Sequence, residues 1–176
     1  MKIYFVSLGC DKNRVDSEMM LGILSERGHE ITFDETEADA VVINTCAFIH
    51  DAKEESINTI LEMAELKKTG HLKYLIAAGC LAERYKDEML EEIDELDAIV
   101  GTAAYADIAD ALEACEKGTR PKIMRDIDSK PVYAKRIVTT VNHFAYLKIA
   151  EGCDKHCTYC IIPSLRGRYR SIPMED

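Results

Sequence analysis

Short apolar runs alternate with longer segments of helical period along the first two thirds of the chain. The runs are rich in Val, Ile, Leu and Ala and lack polar alternation, as is typical of parallel strands covered on both faces. We predict strands at 2–7, 30–33, 40–44, 72–77 and 98–100, and helices at 16–27, 51–68, 81–93 and 104–117. This order predicts an α/β fold, an open parallel sheet with flanking helices.

The predicted helices carry start and stop signals. Asp16 is predicted as the N-cap of the first helix, whose buried side is formed by Val15, Met19 and Leu24. Glycines at positions 28, 70 and 118 follow three of the helices and are expected to end them, because glycine adopts the left-handed backbone at no steric cost.

The character of the chain changes after Gly118. Residues 119–142 contain two prolines and several basic side chains with little helical period, so we predict a linker with an extended piece at 136–141. The apolar run 144–150 predicts a strand, and a cysteine-rich loop follows it. This order resembles the start of a βα barrel, but a full barrel needs roughly 250 residues. We therefore expect three parts, 1–118, 119–142 and 143–176, the last of them a truncated barrel domain.

Composition and charge narrow the class of protein. The 176 residues are 47% hydrophobic and 31% charged, which is ordinary for a globular protein. Residues 1–118 contain 11 basic and 26 acidic side chains, so this part repels nucleic acid phosphates; we interpret the excess as solvated helix faces. No long apolar run or signal peptide is visible, so no membrane contact is expected. Seven cysteines without secretory context predict a cytoplasmic protein with metal or redox chemistry.

Cys153, Cys157 and Cys160 form the densest chemical motif. Their C-x3-C-x2-C spacing lets three thiolates face one point, which suits zinc, copper(I) or an iron–sulfur cluster. A structural zinc site needs four ligands, whereas a cubane cluster held by three thiolates leaves one iron open. A zinc knuckle or three incidental cysteines remain the alternatives.

Cys10, Cys46 and Cys80 share a different feature. Each follows an apolar strand and precedes a helix, and the carboxyl ends of parallel strands meet at one edge of a sheet. A second three-thiolate site and three buried small hydrophobic residues explain this placement about equally well, and the glycines beside Cys10 and Cys80 favour a site. Cys115 lies within a helix and is interpreted as structural, and the basic stretch 165–171 as a solvated turn.

Four stretches of the chain carry a family resemblance. They are Ser7–Glu18 (SLGCDKNRVDSE), Asn44–Cys46, Gly79–Tyr85 and Glu151–Gly167, in which Tyr159 precedes the last cysteine. The last stretch resembles the radical S-adenosylmethionine (SAM) signature, and the chain as a whole is similar to the N-terminal part of the methylthiotransferases. Asp-Lys-Asn13 after the first cysteine resembles the type that modifies a small-subunit ribosomal protein, although Asp11 stands where that type commonly has proline.

The resemblance implies a mechanism and its cofactors. Two 4Fe–4S clusters are implied, one on Cys10, Cys46 and Cys80 and one on Cys153, Cys157 and Cys160, with Tyr159 near the SAM adenine. The second cluster would cleave SAM to a radical that takes hydrogen from an aspartate β-carbon, and the first would present sulfur for methylation and transfer. No acid–base catalyst is evident. The implied partners are the ribosomal protein and a reductant such as flavodoxin or ferredoxin, and contact with nucleic acid through a C-terminal domain stays open.

Three alternatives remain at this point. The first is the tRNA adenosine methylthiotransferase type, which usually has Gln-Met-Asn after its first cysteine. The second is a non-catalytic iron–sulfur protein, an electron carrier or sensor, and the third is a zinc-binding scaffold. Colour separates the last from the others, because an iron–sulfur protein is brown and a zinc protein is colourless.

Overall fold

A six-stranded parallel sheet with helices on both faces forms the body of the protein. The computed structural model describes residues 1–141 and 143–175, so Asn142 and Asp176, the ends of two predicted segments, lie outside the described residues. The strands are β1 (Lys2–Ser7), β2 (Glu30–Thr32), β3 (Ala40–Thr45), β4 (Tyr74–Gly79), β5 (Ala98–Val100) and β6 (Lys122–Ile123), in the spatial order β2-β1-β3-β4-β5-β6. All their pairings are parallel, which confirms the α/β prediction.

Four helices cover this sheet, and a short fifth lies near the C-terminus. They are α1 (Asp11–Glu26), α2 (His50–Thr69), α3 (Cys80–Glu92), α4 (Ile108–Glu116) and α5 (Ile162–Arg166), with single 3-10 turns at Glu35–Glu37 and Tyr105–Asp107. No helix in the described part of the chain is long and apolar enough to cross a membrane.

The core consists of two layers, one on each face of the sheet. Ile76 and Ala78 of β4 pack with α1 and α4, whereas the alternate residues Leu75 and Ala77 pack with α2 and α3. Successive side chains of a strand point to opposite faces, so a strand buried on both sides reads as a continuous apolar run. Burial of each large apolar side chain contributes about 1.5–3 kcal/mol, and this stabilises both layers.

The first helix differs from its predicted form. It begins at Asp11 rather than Asp16, with Cys10 at the N-cap in an extended conformation, and the Arg14 amide donates to the Cys10 carbonyl. Asp16 is buried inside the helix and pairs with cations instead of capping a backbone amide. Gly28, Gly70 and Gly118 end their helices as predicted, Gly28 and Gly118 with positive φ but Gly70 in an extended conformation (φ −125°).

The segment after Gly118 also departs from the prediction. Lys122–Ile123 forms β6 and extends the sheet, within the stretch interpreted as linker, and the piece at 136–141 forms no strand. The predicted strand 144–150 is reduced to β7 (Ala150–Glu151), which pairs antiparallel with β8 (Arg170–Ser171). Phe144, Leu147 and Ile149 are exposed, whereas Tyr146 packs against the core and the Lys148 side chain is buried. One face of this run is therefore covered, but the run lacks the strand neighbour that a longer strand needs.

Candidate functional site

Cys10, Cys46 and Cys80 lie at the carboxyl edge of the sheet. Cys10 follows β1, Cys46 follows β3, and Cys80 is the first residue of α3 directly after β4. Because the chain turns outward in opposite directions from β1 and β3, the crevice where ligands bind in such sheets lies between these two strands. The structure thus confirms the predicted placement at one edge, although Cys80 lies in a helix rather than in a loop.

Two glycines allow the cysteine-bearing segments to approach one another. Gly9 has φ +91°, and a Cβ there would lie 2.8 Å from Cys46 Cβ and 3.1 Å from Cys46 Sγ. Gly79 has φ +89°, and its Cβ would lie 2.2 Å from Asn44 Oδ1. Any larger residue would push the Cys10 segment away from Cys46, or Cys80 away from the end of β3.

Buried amides fix the backbone around these cysteines. The Asn13 side chain donates to the carbonyls of Leu8 (3.1 Å) and Thr45 (2.9 Å), and the Asn44 side chain donates to the Asn13 carbonyl (2.8 Å). Because buried polar groups are costly unless paired, this network holds the segments before Cys10 and Cys46 in one arrangement.

Cys46 has its own backbone support. The Ser56 hydroxyl of α2 accepts a hydrogen bond from the Cys46 amide (3.0 Å) and lies 3.1 Å from the Cys46 carbonyl oxygen. Helix α2 therefore fixes the conformation in which Cys46 leaves β3.

The three thiols interact electrostatically. Burial raises the pKa of the Cys80 thiol, the Arg166 guanidinium acts in the opposite direction, and Cys46 and Cys10 raise this pKa further. Cys46 and Cys80 are buried, whereas Cys10 is exposed. The site is therefore open to solvent on the Cys10 side and closed on the other.

Cys10, Cys46 and Cys80 are the candidate ligands for a metal ion or cluster at this edge. Among the described residues, no group of three His, Cys, Asp or Glu side chains is arranged so that it could hold a metal ion as it stands. Yet three thiols converge on one crevice, glycines leave room beside two of them, and a cation offsets the charge of a thiolate. By residue type and placement, the site fits a soft metal or an iron–sulfur cluster.

Cys153, Cys157 and Cys160 lie on a loop whose base is closed. Strands β7 and β8 pair below it, and the Cys153 amide donates to the Gly167 carbonyl (3.0 Å). Cys157 is exposed and the other two are half-buried. Tyr159 is 88% exposed, so no contact of its ring supports the predicted place beside an adenine.

The structure brings together several buried charges that the sequence did not reveal. Arg166 donates to Asp16 (2.6 Å) and to Glu151 (3.1 Å), and Lys148 pairs with the same two carboxylates. Burial alone would raise the pKa of Glu151, but Arg166 and Lys148 outweigh it and lower this pKa to about 2. The interpretation of 165–171 as a solvated turn is therefore wrong for Leu165 and Arg166, which are buried, whereas Arg168, Tyr169 and Ser171 are exposed.

The acid excess of residues 1–118 also includes buried members. Asp16, Glu18 and Glu83 are buried, so these carboxylates are structural partners rather than parts of solvated faces. The partners of Asp16 and Glu18 lie more than 100 positions along the chain, so no local pattern could have identified them, whereas Glu83 pairs with the nearby Lys86. Only the matching Arg166-Gly167 of the family resemblance singled out that region.

Cys115 agrees with its structural interpretation. It is buried in the α4 layer, its thiol lies 3.5 Å from the Asp97 carbonyl oxygen, and burial raises its pKa to about 11. Its place in this layer agrees with a packing role.

Comparison with known families agrees with this architecture. A family profile described as "Uncharacterized protein family UPF0004" matches residues 2–101, which include the sheet up to β5 and the first three cysteines. The chain belongs to this family.

Individual relatives extend the similarity to the second cysteine loop. Proteins named "Ribosomal protein uS12 methylthiotransferase RimO" are 60% identical in Lachnoclostridium phytofermentans, 54% in Thermoanaerobacter sp. and 50% in Clostridioides difficile. These similarities cover 99%, 97% and 100% of the chain. The chain spans about 40% of the length of these relatives. The resemblance to methylthiotransferases is confirmed.

Proposed function

We propose that the whole protein is a methylthiotransferase that adds a methylthio group to the β-carbon of an aspartate in ribosomal protein uS12. The observation that carries this proposal is the 60% identity to a protein of that name over 99% of the chain. That similarity includes both cysteine regions, and the sheet edge supplies a physical reason for the first of them. The proposed cellular location is the cytoplasm.

Each of the three predicted parts of the chain has a proposed role. We propose that residues 1–118 form the cluster-binding domain, 119–142 a linker, and 143–176 the start of a radical SAM barrel. A strand followed at once by a cysteine loop supports the last assignment, because active sites of such barrels lie where strands end. Strand β6 pairs with β5, so the proposed linker would begin with a segment bound to the sheet.

The proposed ligands are the two cysteine trios, Cys10, Cys46 and Cys80 in the first and Cys153, Cys157 and Cys160 in the second. When bound, the two 4Fe–4S clusters and SAM would supply the electron transfer and the sulfur and methyl chemistry. An electron donor such as flavodoxin or ferredoxin would reduce the clusters.

The residues around each trio are proposed to position its cysteines or to contact its ligand. Gly9 and Gly79 permit the close approach of the first trio, and Asn13 and Asn44 hold its segments together. The hairpin of β7 and β8 fixes the base of the second loop. Tyr159 is proposed to contact SAM, and its exposed ring is free to receive a planar ligand.

The test uses the whole protein, reconstituted without oxygen and supplied with SAM, a reductant and sulfide. We expect mass spectrometry to show a methylthio gain on uS12 and none on bulk tRNA. Cys46→Ala is expected to cleave SAM without product, and Cys157→Ala to do neither, because each removes a ligand from a different trio. A gain on tRNA adenosine with none on uS12 would overturn the substrate assignment.

A further inference from the structure

Arg166 lies between the two cysteine regions and contacts both. Its side chain is only 6% exposed. One terminal nitrogen, Nη1, donates to Asp16 and Glu151, and Glu151 is two residues before Cys153. The other, Nη2, donates to the Asn13 side-chain oxygen and lies 3.8 Å from Cys80 Sγ. A single guanidinium therefore joins the base of the second loop to a ligand of the first trio.

The charges around Arg166 are balanced without the thiol. Lys148 pairs with Asp16 and with Glu151, so two buried cations face two buried carboxylates, and the partly exposed Lys12 lies 3.7 Å from Glu151 as well. Only Nη1 contacts the two carboxylates, so the ion pairs do not account for the position of Nη2. Arginine presents a planar fork of donors, and here one side of the fork serves the carboxylates while the other faces Asn13 and Cys80.

Contacts of the neighbouring Leu165 with the sheet edge also fix the position of Arg166. The Thr102 hydroxyl, beyond the end of β5, donates to the Leu165 carbonyl, and the Thr102 amide donates to Glu83 of α3 (3.1 Å). Leu165 itself packs in the layer that contains α2 and α3. Helix α5, which carries Arg166, is thus bound to the same edge of the sheet as the first trio.

We propose that Arg166 is a positioning residue that hydrogen-bonds the sulfur of Cys80 and thereby raises the reduction potential of the cluster on Cys10, Cys46 and Cys80. This inference rests on the proposed function. Reduction adds negative charge to a cluster, and hydrogen bonds to its sulfurs and nearby positive charge stabilise the reduced form. Arg166 supplies both.

The test measures that potential in the whole protein carrying Cys153→Ala, Cys157→Ala and Cys160→Ala, so that only one cluster contributes. Iron content is measured first, and the spectroscopic signal of the reduced cluster is then followed against applied potential. In this background we expect Arg166→Met to lower the reduced-to-oxidised ratio at fixed potential about tenfold, a shift of about 59 mV for one electron. Arg166→Lys should shift it less in the same direction, because it keeps the charge and loses the fork.

Arg168→Met is the matched control. Arg168 lies two residues beyond Arg166, after the end of α5, and is exposed, so its loss should leave the potential unchanged. An unchanged potential in Arg166→Met, with iron retained, would overturn the inference and leave Arg166 as an ion-pair partner. If Arg166→Met loses iron, an unchanged potential in Arg166→Lys overturns it equally. A parent protein that binds no iron would instead contradict the proposed function.

Discussion

At the scale of single residues, the site depends on contacts that tolerate no added atom. Gly79 is the clearest example, because it ends β4, begins the turn into Cys80 and has a left-handed backbone. A Cβ there would meet both Asn44 Oδ1 at 2.2 Å and the Thr45 carbonyl oxygen at 2.8 Å. Both neighbours are buried parts of β3 and have little freedom to move.

Gly79→Ala is therefore expected to lower the free energy of unfolding by about 2–3 kcal/mol, from backbone strain and displaced packing. Gly28→Ala is the matched control, since Gly28 has φ +83° and nothing within 4 Å of its Cβ position. The control should lose only about 1 kcal/mol from the left-handed conformation. Urea unfolding measures the free energy of unfolding of both variants. Equal losses would show that the close contacts at Gly79 do not contribute to stability.

At the scale of elements, helix α1 connects the sheet to the last third of the chain. Glu18 accepts hydrogen bonds from the amides of Ile137 (at its carbonyl, 3.0 Å) and Thr139 (at its carboxylate, 2.8 Å). On the same helix, Lys12 donates to the Ala150 carbonyl (2.6 Å). The residues around 135–139 and the start of β7 are therefore held by α1, which explains why α1 is buried nearly all round.

Gly22 of α1 makes this docking possible, because a Cβ there would lie 1.8 Å from the Lys135 carbonyl oxygen. Gly22→Ala should release the segment around 135–139 and speed its amide hydrogen exchange, while the central strands stay protected. In an open helix the same change would stabilise by about 1 kcal/mol. Ser25→Ala, at an exposed position of α1, is the control and should leave the exchange of this segment unchanged. Slow exchange in Gly22→Ala would contradict the docking.

The elements also show what the sequence could predict. Strands β1 and β5 match their predicted bounds, and β3 and β4 lie within two residues of theirs, because burial on both faces of the sheet gives a continuous apolar run. The start of α1 was missed because Asp16 is satisfied by Lys148 and Arg166, both more than 130 positions away. Strand β6 has only two residues and no apolar run, so its pairing with β5 leaves no local signal.

At the scale of the whole molecule, the two cysteine trios differ in how far sequence could describe them. Parallel strands must end at one edge, so the meeting of Cys10, Cys46 and Cys80 follows from topology alone. The second trio is local in sequence, and its spacing suffices to predict a site. The link between them through Arg166 depends on tertiary packing, and a basic turn gives no sign of it.

The central claim is that each trio holds a cluster of its own, and iron content tests it most directly. In the whole protein, reconstituted without oxygen, we expect about eight irons per chain, and about four when either trio is replaced by alanine. Cys115→Ala is the control and should keep the full content, because Cys115 lies outside both sites. Unchanged iron after replacement of Cys10, Cys46 and Cys80 would contradict the account and leave those cysteines as packing residues.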